Sequence, residues 1–159
     1  MEDAIDRIAS IAEGSDLFDL RGERETILRL SQTSFVASLT PEDEGDLPKA
    51  VRVALAARMA RMLRDDAAAA LYDAMIGDAD AEIRALADPA HRPQDARFAV
   101  MAARTDTLTL KPETATRSDV TALEDAGLST RTIVSLTGLI AFVNYQLRVA
   151  AGLRALKGN

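Results

Sequence analysis

Residues 128–156, LSTRTIVSLTGLIAFVNYQLRVAAGLRAL, decide the fold. Ser129 is suited to cap a helix here, because its hydroxyl can accept from backbone N–H groups that the first turn leaves unpaired. Apolar residues then recur on one seam as Ile133, Leu136, Ile140, Val143, Leu147 and Ala150, and on a second as Leu139, Phe142, Val149, Leu153 and Leu156. Two apolar seams predict two packing partners and a helix covered on almost every side. Between them run Ser135, Gly138, Ala141, Asn144, Tyr145, Arg148 and Gly152. The glycines permit close helix approach, and the polar members require hydrogen-bond partners. Arg148 is the most demanding, since a guanidinium keeps its charge wherever it is placed.

The bulk composition agrees with a helical protein. A length of 159 residues, 48% hydrophobic and 28% charged, suits one globular domain able to bury a sizeable core. Aromatics make up only 4%, with no Trp, so the core must be built from Ala, Leu, Ile, Val and Met, which favours close helix packing over a sandwich. A net charge of −6 argues against nucleic acid and anionic membranes as partners. With no cysteine there is no disulfide, no thiolate metal site and no thiol nucleophile on this chain. His91 is the only histidine, which leaves no imidazole pair for a metal, and no cofactor is expected. The opening MEDAIDRIAS has no apolar segment of the signal-peptide kind. The most apolar window, Ile133 to Val143, falls short of the ~20 residues a membrane span needs. A soluble cytoplasmic protein is the expectation.

Before the long helix, helical spacing recurs. Ile5, Ile8 and Ala12 mark a short amphipathic helix, 16–20 read as loop, and a second helix runs from about Glu23 to Leu39 with Ile27, Leu28, Leu30 and Phe35. After the acidic connection 40–46, Leu47-Pro48 opens a strong helix, because proline at the first position loses no bond the helix would use. Its apolar face is Val51, Leu55, Met59 and Met62; Arg52, Arg58, Arg61 and Arg64 read as a solvated basic flank. Asp65-Asp66 cap the next helix, AAAALYDAMI, which stops at Gly77, and Asp78 caps a short one with Ile83 and Leu86. Residues 88–93 are a linker with two prolines; Pro93 opens a helix carrying Phe98 and Met101, and Lys111-Pro112 ends it. Ser118 caps a short helix with Val120 and Leu123 that stops at Gly127. No stretch alternates with period two. The reading is all-α with roughly seven or eight helices, a single domain over 1–159 made of an N-terminal extension, 1–46, and a core, 47–156.

Few motifs carry chemistry. Ser118 to Leu139 has the outline of a DNA-binding helix-turn-helix, but such motifs need a basic, exposed recognition helix, and here only Arg131 qualifies. His91, between two prolines, reads as a solvated loop histidine or as a lone acid–base group. A Gly-rich phosphate loop, a G-x-S-x-G elbow and E-x-x-H pairs are absent.

The last third, from Ala96 to Leu156, resembles the C-terminal part of the AhpD-like alkylhydroperoxidases and carboxymuconolactone decarboxylases. The resemblance is carried by DVTALEDAGLSTRTIVSL and AFVNYQLRVAAGL, where the family usually has Phe, Asn and Arg at the positions of Phe142, Asn144 and Arg148. It extends over about 47–156 and is closest to the subset described as CMD domain proteins or peroxidase-related. It implies an all-helical fold and homo-oligomers, often trimers or hexamers, assembled from the long helices.

One departure governs the function. The peroxidase members carry Cys-x-x-Cys-x-x-x-His. With Arg52 aligned on the arginine of the preceding helix, the cysteine positions fall near Asp65 and Ala68 and the histidine near Tyr72. Peroxide is attacked by thiolate, and neither carboxylate nor methyl replaces it. The resemblance therefore implies the scaffold of a peroxidase without its reagent: a scaffold protein, a small-molecule binder, or a partner of a cysteine-bearing relative. The alternative is a cysteine-independent, decarboxylase-like enzyme acting on an organic acid or lactone, which needs acid–base groups and an anion clamp. Arg148, Tyr145 and Asp65 are its candidates, with Asn144 and His91 behind them. Arg148 and Asn144 have a structural reading too, as ties holding the long helix into the fold or a subunit interface.

Overall fold

The computed structural model describes residues 3–157, and all their regular structure is helical. Nine α-helices follow in order among the described residues: α1 (Ala4–Ala9), α2 (Asp16–Gly22), α3 (Glu25–Leu39), α4 (Lys49–Met62), α5 (Asp66–Ile76), α6 (Ala81–Ala85), α7 (Ala96–Leu110), α8 (Arg117–Asp125) and α9 (Thr130–Lys157). A 3-10 turn, Pro112–Thr114, joins α7 to α8. Residues 1–2 and 158–159, the outer limits of the expected domain, lie outside the described residues.

Helix α4 is the hub. Every residue from Val51 to Ala60 is buried, and α3, α5, α6, α7 and α9 all pack on it. Its alanines, Ala54, Ala56, Ala57 and Ala60, let neighbouring backbones come close. The expectation of a solvated arginine flank is corrected here: Arg52 and Arg58 are buried, at 4% and 1% exposure. Small neighbours leave room for guanidinium groups to reach loop carbonyls, so these side chains turn inward. Arg61 remains on the surface and pairs with Asp73 at 2.6 Å. Arg64 adopts left-handed backbone, φ +58, in a tight turn where Asp65 N–H bonds Ala60 O at 2.9 Å.

Helix α9 has 28 residues. Its first seam, with Leu139, is buried, while Phe142, Val149 and Leu153 are partly covered. The expected all-round covering is not made within the chain. Val134, Tyr145 and Leu156 are exposed, and a Cβ added at Gly138 or Gly152 would meet nothing within 4 Å. Ser129 caps this helix as expected, accepting from Thr132 N–H at 3.2 Å. By length and composition Thr130–Lys157 would suffice to cross a membrane, since it holds an 18-residue window with a mean hydropathy of 1.4, longer than its central apolar segment suggests. Half of that window is buried inside the protein, and the buried Asn144 and Gln146 of this helix bond polar side chains of α7 and α5, as in a core helix.

The ninth helix is α2, in a stretch expected to be loop. Ser15 caps it, accepting from Phe18 N–H at 3.3 Å, and Leu17 and Phe18 pack against the core. Other starts shift too: α6 begins at Ala81 behind Asp80, two residues later than an Asp78 cap allows. Helix α7 begins at Ala96, because Asp95 is extended and its side chain caps the first turn, accepting from Arg97 and Phe98 N–H. Helix α8 begins at Arg117 with a reciprocal box between Thr116 and Asp119, two residues earlier than a Ser118 cap allows.

Candidate functional site

The three positions that the resemblance places at the redox site lie on one face of α5 and its cap, at i, i+3 and i+7. Asp65 is buried at 6% exposure. Its carboxylate accepts from Ala68 N–H at 3.1 Å and from both Arg154 nitrogens of α9, at 2.6 and 3.3 Å. Arg154 also donates to Ile8 O of α1 at 3.1 Å. Tyr72 is fully buried and donates to Gln146 Oε1 of α9 at 2.8 Å. Ala68 is buried between them. The face is therefore closed by polar bonds between α5, α9 and α1. The carboxylate is committed to a cap and an ion pair, and the phenol to an amide.

Burial, with the Asp65 charge beside it, holds the Tyr72 phenol well above the usual tyrosine range. The folded state then binds the phenolic proton more tightly than the unfolded state. The stability this contributes is complete below the unfolded value of 10.0 and is lost as pH rises beyond it. Urea midpoints at pH 9 and at about pH 11 should fall further apart for the native chain than for Tyr72→Phe. Equal falls would mean that Tyr72 ionises in the fold without penalty.

The remaining candidates are elsewhere. Asn144, buried in mid-α9, donates to Ile140 O at 3.1 Å and Thr109 Oγ1 at 3.5 Å. Arg148 is exposed and folds back along its own helix to Asn144 O and Oδ1, at 3.3 and 3.0 Å. Tyr145 is 42% exposed, with its hydroxyl 3.2 Å from Ser31 Oγ of α3. His91 is half-buried in the α6–α7 connection, in a separate cavity beside Arg58 and Asp106, and its Nε2 is buried without a hydrogen-bond partner. The structure thus groups Asp65, Ala68 and Tyr72, links Asn144 with Arg148, and leaves Tyr145 and His91 apart. Arg148, Tyr145 and a carboxylate do not meet in one void.

The most heavily bonded group was not among the sequence candidates. Arg58 forms a fork-to-fork pair with Asp106 of α7 at 2.6 and 2.7 Å, and donates to Asp88 O at 2.6 Å, Pro89 O at 3.2 Å and Leu86 O at 3.4 Å. Arg52 likewise holds the α3–α4 connection through Leu47 O, Ser38 O and Glu44 O, at 2.7, 3.1 and 3.1 Å. Burial lowers its proton affinity and the Glu44 charge opposes that. The only sequence signal for these roles is arginine set among alanines; Asp106 and Arg154 lie too far along the chain to be paired by spacing.

No family model matches the chain, and no curated protein is similar to it. Its fold does have a solved counterpart, in a protein of the peroxidase-related class. The crystal structure of an uncharacterized peroxidase-related protein from Silicibacter sp. TM1040 is similar over 81% of this chain and 69% of that one, with a TM-score of 0.70 and 21% identity. The two chains share a fold.

Proposed function

We propose that this chain is a thiol-free relative of the AhpD-like and carboxymuconolactone decarboxylase group that binds a small molecule and does not reduce peroxides. The observation that carries this reading is the state of the α5 face: at the positions expected for the two thiols and the histidine stand Asp65, Ala68 and Tyr72, with the polar pair fixed by Arg154 and Gln146. Neither a paired carboxylate nor a buried, protonated phenol replaces a thiolate as the nucleophile toward a peroxide oxygen. The exposed side of α9, with Val134, Tyr145 and two open glycines, supports assembly of copies through the long helices. The lactone-enzyme reading gains no support, because Arg148, Tyr145 and a carboxylate do not meet in one void and Asp65 is held by Arg154.

The test is consumption of hydrogen peroxide and an organic hydroperoxide with dithiothreitol as reductant, after subtraction of the uncatalysed rate. Rates equal to the blank are expected. Turnover above it, retained after removal of trace metal, would overturn the proposal. Light scattering on the same sample should give a multiple of 17.1 kDa, and a monomer would remove assembly from the reading.

A further inference from the structure

A second cavity, away from the α5 face, lies where α1, α2 and α3 meet the outer side of α9. It has a volume of about 220 Å³ and walls of Leu17, Leu20, Leu28, Val149 and Leu153. Two polar features interrupt these walls. Along α3, Ser31 Oγ and Tyr145 Oη form a hydroxyl pair at 3.2 Å. At the start of α3 stands Arg24, exposed, with no side-chain hydrogen bond or ion pair among the described residues. Its neighbour Arg21 is already paired with Asp3 and Asp6, so Arg24 is the uncommitted cation on this rim.

From these observations we infer that the cavity is a binding site for a medium-chain aliphatic carboxylate, with its head on Arg24 and its tail against the leucines. This names the ligand class of the binding role proposed above and rests on that role, though not on the argument against peroxide reduction. Charge selects the head: a guanidinium presents a planar fork that fits a carboxylate, and Arg24 has no competitor for it among the described residues. Apolar walls select the tail, because each methylene moved from water onto them is favourable. Length is set by the helix. Arg24 and Ser31 are seven residues apart on α3, about 10 Å of axis at ~1.5 Å per residue, which suits a tail of about eight carbons. The hydroxyl pair at the far end shares one hydrogen bond and marks where the apolar walls stop.

The experiment is isothermal titration calorimetry of the full chain with octanoate, 1-octanol and acetate. Saturable octanoate binding at one site per chain is expected, with weaker octanol binding and none for acetate. Arg24→Gln, on an exposed side chain that the fold does not use, should weaken octanoate about tenfold and leave octanol unchanged. Val149→Trp, which fills the cavity, should abolish binding of both while the far-ultraviolet spectrum keeps its helical form. The inference is overturned by the absence of saturable octanoate binding, whether the cavity is simply unused or covered by a second copy, and equally by octanoate binding that Arg24→Gln does not change. Failure here leaves the peroxide result standing, and peroxide turnover would leave octanoate binding standing, so the two errors are distinguishable.

Discussion

Replacing Arg58 by alanine should destabilise the fold by about 3–5 kcal/mol, the range found when one partner of a buried ion pair is removed. Arg58 is 1% exposed and supplies hydrogen bonds to three loop carbonyls between Leu86 and Pro89 as well as to Asp106. Its loss strands those acceptors and leaves a void inside the hub helix. Asp106 is the better-hydrated partner, at 32% side-chain exposure. Asp106→Asn should therefore cost less than Arg58→Ala, because an amide still accepts a bond and the three carbonyl acceptors keep their donor. Since a domain of this kind is stable by only about 5–15 kcal/mol, Arg58→Ala should move the urea midpoint by a large fraction of its value. A loss below about 1 kcal/mol would place Arg58 among ordinary surface pairs and contradict the burial argument.

Asp65→Ala should cost about 2–3 kcal/mol, combining the loss of a helix cap, typically ~1 kcal/mol, with that of a half-buried ion pair. Two companion variants separate the parts. Asp65→Asn keeps a good capping side chain and gives up only the charge, so it should be the milder change. Arg154→Met removes the pair and leaves the cap intact; with Arg154 at 36% side-chain exposure, solvent screening should keep its effect below that of Asp65→Ala. A double-mutant cycle between the two positions should give a coupling of about 1 kcal/mol. If Asp65→Ala left stability unchanged, or raised it, the carboxylate would be held there against the interest of the fold, which is the signature of a functional group and would reopen the enzyme reading.

The features legible in the sequence are those whose physics is local. Ser129, the seam from Ile133 to Ala150 and the Gly127 stop locate α9 because capping and periodicity act within a few residues. The Asp65 cap of α5 was readable for the same reason. Helix α2 is not legible, because Asp16-Leu17-Phe18-Asp19-Leu20 is too short for a period to declare itself, and its residues are stabilised by the core they touch more than by propensity. The inward turn of Arg52 and Arg58 is hidden from the sequence because charge predicts a solvent face unless a partner is known, and the partners here are loop carbonyls and an aspartate 48 residues away. At the candidate site, spacing put Asp65, Ala68 and Tyr72 on one helix face. It could not supply Arg154 or Gln146, whose helix arrives 74 to 89 residues later and decides what that face can do.

The attachment of α1 carries a kinetic consequence. Its two longest-range polar bonds, Arg154 to Ile8 O and Lys157 to Ser10 O, join segments separated by 146 and 147 positions. During synthesis α1 is thus made well before the end of α9, and waits for it before it can dock. Closing so large a loop makes its docking a late event, and one of the first parts of the molecule to open under stress.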